Sequence, residues 1–159
     1  MPAFYRAAAF NLVRPMPSEA LSKSQRSVRA ELLVAADLME HGFGILAPLG
    51  TERYDLVATK DGQFYRLQVK HVRYDTTTGA IQVHLGSMIK GKGERQQFRK
   101  YTGEEIDFIA AYCPDTNEIY YLRMNDFEGK SSVFLRVEPP KNGQSAGVSW
   151  AKDFTEFEP

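Results

Sequence analysis

Apolar and polar positions divide the chain into one helical stretch followed by strands. From Ser22 onward apolar residues recur at helical spacing to about Glu40, with Ser22 or Ser24 available as N-cap and Gly42 and Gly44 as the stop. Short β-rich runs follow at residues 43–49, 54–59, 63–72, 81–85, 106–112, 119–124 and 133–137. Asp61-Gly62 joins the second and third runs, and both residue types tolerate the positive φ of a tight hairpin turn. Pro114-Asp115-Thr116-Asn117 is made of turn formers and joins another pair. Residues 86–104 are polar, basic and glycine-punctuated, and are predicted as a loop with a short helix around residues 94–101. Residues 1–21, with Pro2, Pro15 and Pro17, lack a sustained period and are predicted as an extension preceding one domain over 22–159. One helix ahead of a mainly antiparallel sheet, with further helical pieces, predicts an α/β or α+β sandwich.

Composition narrows this picture little. At 159 residues, with 43% hydrophobic and 25% charged side chains, the chain suits one globular domain with a core. Twenty basic residues balance twenty acidic ones, so any case for a polyanionic partner rests on how charge is distributed. Cys113 is the only cysteine, which excludes an internal disulfide and a cysteine-based zinc site and fits a reducing cytoplasm. The run Ala7 to Val13 after Arg6 is interrupted by Asn11 with no clean cleavage site behind it, and is not read as a leader. No stretch reaches the about 20 apolar residues that cross a bilayer, so no membrane partner is expected.

The helix carries the first chemical anomaly. At about 100° per residue, Val28, Leu32, Ala35, Ala36, Leu38 and Met39 form an apolar arc, with Glu31 projecting inside it between Leu38 and Ala35. A carboxylate on a buried face requires a partner. That partner is either a basic or phenolic core group or a metal. In the third run Tyr65, Leu67 and Val69 share one face while Arg66, Gln68 and Lys70 share the other. Across the predicted hairpin, Asp55 interrupts an apolar run and falls near Gln68 and Lys70. Asp55, Gln68 and Glu31 offer oxygen ligands to a hard cation such as magnesium, with Lys70 beside them to hold or deprotonate a water or to offset developing charge. Such a set suits phosphodiester hydrolysis.

These residues resemble the PD-(D/E)XK nucleases, in particular the group I intron-associated homing endonucleases, over about Ser22 to Phe154. The matching segments are the Glu31 helix ending in Glu40-His41-Gly42-Phe43, then Tyr54-Asp55-Leu56-Val57, then Leu67-Gln68-Val69-Lys70. Ile106-Asp107-Phe108-Ile109, Tyr112-Cys113-Pro114, Asn142-Gly143-Gln144 and Trp150-Ala151-Lys152-Asp153 also match. The resemblance implies a restriction-endonuclease-like α/β core and a magnesium-dependent DNA endonuclease leaving a 5′-phosphate and a 3′-hydroxyl. By the same resemblance Asp55 is the central metal ligand, Gln68 stands for the second acid, the Val69 carbonyl can ligate, Glu31 is the helix acid and Lys70 is the catalytic lysine. Two departures stand out: Tyr54 replaces the proline before Asp55, and Gln68 replaces an acid.

For double-stranded DNA the basic residues Lys90, Lys92, Arg95, Arg99 and Lys100 offer phosphate contacts, extended by Arg66 and Arg73, while a solvated flexible loop is the other reading of the same segment. His41, His71 and His84 lack metal spacing and are read as surface or structural residues. Cutting both strands requires two active sites, so a homodimer or homotetramer is expected. A Holliday-junction resolvase-like nuclease and a non-catalytic DNA-binding module on the same fold are the alternatives.

Overall fold

The structure is a computed structural model and describes residues 21–90, 93, 95–139 and 147–159. The predicted extension, Lys92 and the Asn142-Gly143-Gln144 segment lie outside the described residues, apart from Leu21.

Helix α1 (Lys23–Glu40) begins where the sequence indicates. The Ser22 hydroxyl accepts from the Gln25 backbone N–H while the Gln25 side chain accepts from the Ser22 N–H, a reciprocal capping box. Five strands form the central sheet in the order β1 (Gly44–Leu46), β2 (Leu56–Lys60), β3 (Gln63–His71), β8 (Phe108–Cys113), β9 (Glu118–Arg123). Only β3 and β8 run parallel; the other pairs are antiparallel. Asp61 and Gly62 take φ of 52° and 77° at the β2–β3 turn, as their residue types foretell. A second sheet has the order β11 (Ser149–Trp150), β10 (Ser132–Arg136), β5 (Ala80–His84), β4 (Tyr74–Asp75).

The molecule is therefore three-layered. One face of the central sheet, with Leu56, Ala58, Leu67, Val69, Phe108 and Ala110, packs on Ala30, Val34 and Leu38 of α1. The opposite face, with Ile109, Ala111, Cys113, Tyr120 and Leu122, packs on Ile81, Val83, Val133 and Leu135 of the second sheet. Both faces of β8 are buried, so its run Phe-Ile-Ala-Ala-Tyr-Cys shows no alternation. Phe157, near the acidic end of the chain, closes the first core by edge contacts with Phe43 and Phe108.

Two expectations are corrected. The buried face of α1 is Ala30, Val34, Asp37 and Leu38, whereas Val28, Leu32 and Met39 of the expected arc are 51%, 66% and 62% exposed. The helix is apolar on both sides, so periodicity alone does not select which side meets the sheet; Tyr121, whose hydroxyl donates to Asp37 at 2.6 Å, secures the chosen one. Residues 86–104 are not a loop with a short helix but a hairpin of β6 (Gly86–Lys90) and β7 (Gln96–Lys100). Every residue of β7 is exposed, so the ribbon leaves no apolar period to read.

Candidate active site

Strand register builds the site. Leu56 pairs with Leu67, and the Asp55 N–H donates to the Leu67 carbonyl at 2.8 Å, which sets Asp55 across from Gln68 where β2 begins. Val69 turns its side chain into the helix-side core, while Gln68 and Lys70 take the other face as strand alternation dictates. Asp55 Oδ2 accepts from the Val69 N–H at 2.8 Å and from the Gln68 amide, and the same Gln68 Nε2 donates to the Val69 carbonyl at 3.2 Å. Lys70 Nζ donates to the Gly86 carbonyl and to the Tyr101 hydroxyl, both at 3.1 Å.

Glu31 completes the group from α1. It lies at the margin of the buried face and shares with Asp55, Gln68, Val69 and Lys70 a groove of about 500 Å³, whose remaining wall is Lys23, Arg26, Ser27, His71 and Arg73. Burial, with the Asp55 charge adding to it, raises the Glu31 pKa above the ordinary carboxylate value. Asp55 is raised too: burial dominates over the Val69 N–H, the Lys70 charge and the Gln68 amide, all of which favour its ionised form. Two carboxylates thus share one groove, each made harder to ionise by burial.

Among the described residues no group of three or more His, Cys, Asp or Glu side chains is assembled to hold a metal. The donor set here is mixed: two carboxylates, one backbone carbonyl and one amide. Asp55 Oδ2 and the Val69 carbonyl both accept from Gln68 Nε2, so a neutral amide donor already occupies the place where their lone pairs converge. Turning the amide end over would present Oε1 instead and give an all-oxygen set that fits a hard divalent cation. The residues present therefore fit a metal, with less negative charge than a second acid would give.

The basic residues expected to meet DNA divide into two groups. Lys90 and Arg95 are exposed on or beside the hairpin. Arg99 is also exposed but pairs with Glu105, and Lys100 Nζ donates to the Gly129 carbonyl at 2.6 Å. Arg73 lines the groove and pairs with Asp115 at 2.9 Å. Arg66 is committed elsewhere: it holds Asp107 at 2.9 Å and 3.0 Å and donates to the Gly103 and Glu104 carbonyls. It braces the loop before β8.

Several groove residues went unread in the sequence. Lys23, Arg26 and Ser27 reach it from the first turns of α1, and a signal existed: 23, 27 and 31 recur at i, i+4, i+8, which lines them along one side of a helix. Tyr101 and Arg53 lie outside the groove lining and act through the hairpin; Tyr101 stood out only as an aromatic that could stack on bases or sit in the core, and it is buried. His71 lines the groove with its pKa lowered by burial and by the charges of Arg26 and Arg73.

The central sheet carries an acid, an amide and a lysine at one end with a helix acid facing them, within a restriction-endonuclease-like fold. Residues 22–157 match the PD-(D/E)XK endonuclease family, and the chain belongs to it. Protein 5.3 of Escherichia phage T7 is 31% identical over 107 residues, 65% of this chain and 82% of that protein. The bacterial homing endonuclease I-Ssp6803I has a TM-score of 0.69 to this fold, covering 84% of this chain and 88% of that chain at 24% identity. This last likeness shows the fold.

Proposed function

We propose that the protein is a magnesium-dependent DNA endonuclease of the site-specific, homing type, with Asp55, Gln68, the Val69 carbonyl and Glu31 as metal ligands and Lys70 as the catalytic lysine. The observation that carries this reading is the convergence of Asp55 Oδ2 and the Val69 carbonyl on the Gln68 amide, with Lys70 as the next residue and Glu31 facing them across the groove. Family membership and the fold shared with a homing endonuclease support it.

A magnesium ion held by these oxygens would supply Lewis-acid polarisation of the scissile phosphate. The chain's own groups do the rest. Lys70, a donor with two of its three N–H groups already directed, offsets charge developing on the phosphate or steadies the attacking water. Lys23 and Arg26 at the groove wall meet the phosphates flanking the cut. Lys90, Lys92, Arg95, Arg99 and Lys100 extend contact along the duplex, joined by Arg73. Hydrolysis leaves a 5′-phosphate and a 3′-hydroxyl by analogy with the family. Residues 22–159 are the nuclease domain and 1–21 an extension to it, a division supported by the family match beginning at residue 22.

The working unit is a homodimer or homotetramer. Val28, Leu32, Ala36 and Met39 form an outward apolar stripe on α1, directly opposite the face that packs on the sheet. In an antiparallel approach of two copies, Leu32 of one meets the Ala36 region of the other, and Val28 meets Met39.

A second reading has its own observation: Gln68 Nε2 already satisfies Asp55 and Val69, as in a fold kept for DNA binding without catalysis. Supercoiled plasmid incubated with magnesium, and in parallel with EDTA, separates the two. Nicking or linearisation only with magnesium supports the nuclease, and binding without cleavage supports the module. A preference for four-way junctions over linear duplex in the same assay would make it a resolvase instead.

A further inference from the structure

We infer that Tyr101 is the positioning residue for the Lys70 ammonium, and that Arg53 fixes Tyr101 through its ring, so that the base of the β6–β7 hairpin sets the catalytic lysine. The catalytic part of this statement rests on the nuclease reading above; the positioning part rests on geometry alone.

Lys70 Nζ spans the hairpin base. One acceptor, the Gly86 carbonyl, starts β6, and the other, the Tyr101 hydroxyl, immediately follows β7, each at 3.1 Å. Gly86 pairs with Lys100 across the ribbon, and the Tyr101 N–H donates to the Leu85 carbonyl at 2.9 Å. The two acceptors are thus locked to one another by the ribbon's own hydrogen bonds. The fit at Gly86 excludes any side chain, because a Cβ there would lie 2.5 Å from the Arg99 carbonyl oxygen and 2.6 Å from the Phe98 ring.

Tyr101 is only 6% exposed, and its ring is held by charge. The Arg53 guanidinium lies 4.4 Å from the ring centroid and Lys70 Nζ 4.9 Å from it. Arg53 is in turn anchored on the hairpin: it donates to the Ser87 hydroxyl at 3.0 Å and to the Lys100 carbonyl at 3.3 Å, with Glu105 at 3.6 Å. Ser87 belongs to β6 and Lys100 to β7, so one side chain clamps both strands. A long, flexible lysine ordinarily keeps several rotamers. Here two fixed neutral acceptors select one, leaving a single N–H for the groove that holds Asp55. The hairpin that carries Lys90, Arg95, Arg99 and Lys100 is therefore bolted to Lys70, and the residues expected to touch DNA share a rigid base with the residue expected to act on it.

The test compares wild type with Tyr101→Phe, which keeps the ring and deletes the hydroxyl, and with Arg53→Lys. The amine-acylating probe acetic anhydride, at limiting concentration, reports the exposure of each lysine amine by mass spectrometry of the digest; plasmid cleavage in magnesium reports kcat and KM. In Tyr101→Phe, acetylation of Lys70 rises several-fold relative to Lys60 and Lys152, kcat falls about tenfold for one charge-assisted hydrogen bond lost, and KM for plasmid stays within about twofold. Arg53→Lys moves both readouts in the same direction by less. Unchanged Lys70 acetylation in Tyr101→Phe overturns the inference whatever the cleavage rate. Altered acetylation in a wild-type background that never cleaves supports the positioning and overturns the nuclease reading instead.

Discussion

The Gln68 amide nitrogen donates to the Asp55 carboxylate and so takes the position a cation would occupy between Asp55 Oδ2 and the Val69 carbonyl. Under the proposed function, the side chain that replaces the family's acid is also the ligand that has to turn toward the metal. On that reading, metal binding turns this amide over, at the loss of two hydrogen bonds. Gln68→Glu removes that competition and adds a charge, so magnesium affinity, measured by isothermal titration calorimetry, rises on the order of tenfold, the response to about 1.4 kcal/mol. An affinity equal to or below wild type would show that Gln68 does not face the metal.

Asp55 and Asp107 have opposite pH signatures. Burial raises Asp55, so its folded-state pKa exceeds the unfolded one and its ionised form weakens the fold. Asp55→Asn is expected to raise the melting temperature of the metal-free protein near neutral pH by a few degrees, a gain that vanishes as pH falls below the raised pKa. Asp107 is raised by burial but lowered further by the Arg66 hydrogen bonds, and its net pKa lies below the ordinary value. Its contribution is present above the unfolded pKa and is lost as pH falls through the depressed folded one. Melting curves across pH 3–8 for Asp55→Asn and Asp107→Asn check both signs.

Arg66 was expected to meet DNA, yet its guanidinium is spent on Asp107 and two carbonyls. Arg66→Ala therefore costs stability, about 1–3 kcal/mol with partial exposure favouring the lower end, and leaves plasmid affinity at fixed salt within about twofold. Lys90→Ala reverses that pattern, with affinity lowered, a shallower salt dependence and an unchanged melting temperature.

If the outward stripe of α1 seats a second copy, Leu32→Glu buries a charge at the centre of the interface. Sedimentation equilibrium should then show a shift toward monomer at concentrations where wild type is associated. Double-strand cleavage should fall while single-strand nicking continues. A wild type that is monomeric throughout would remove the reading.

What the sequence disclosed follows the reach of its signals. Ser22 and Gln25 cap α1 through local hydrogen bonds, and Asp61-Gly62 turns the β2–β3 hairpin through local φ preferences, so both were legible. Asp55 reaches Gln68 through that same hairpin register, which is why the centre of the site was legible too. Val28 and Val34 are equally apolar, and the inner side of α1 is marked by contacts distant in sequence, among them the Tyr121 hydroxyl on Asp37. The β6–β7 ribbon escaped because no residue of β7 is buried. Tyr101 and Arg53 escaped with it, since their roles exist only once the ribbon closes at Gly86.

The central claim is that this groove hydrolyses DNA with Lys70 at its centre and a divalent cation on Asp55. Relaxation of supercoiled plasmid by wild type and Lys70→Ala, each with magnesium and with EDTA, tests it most directly. The account predicts nicking by wild type in magnesium, none in EDTA, and a rate for Lys70→Ala lower by about 10²–10³-fold. Magnesium-dependent nicking that survives Lys70→Ala at the wild-type rate would contradict it.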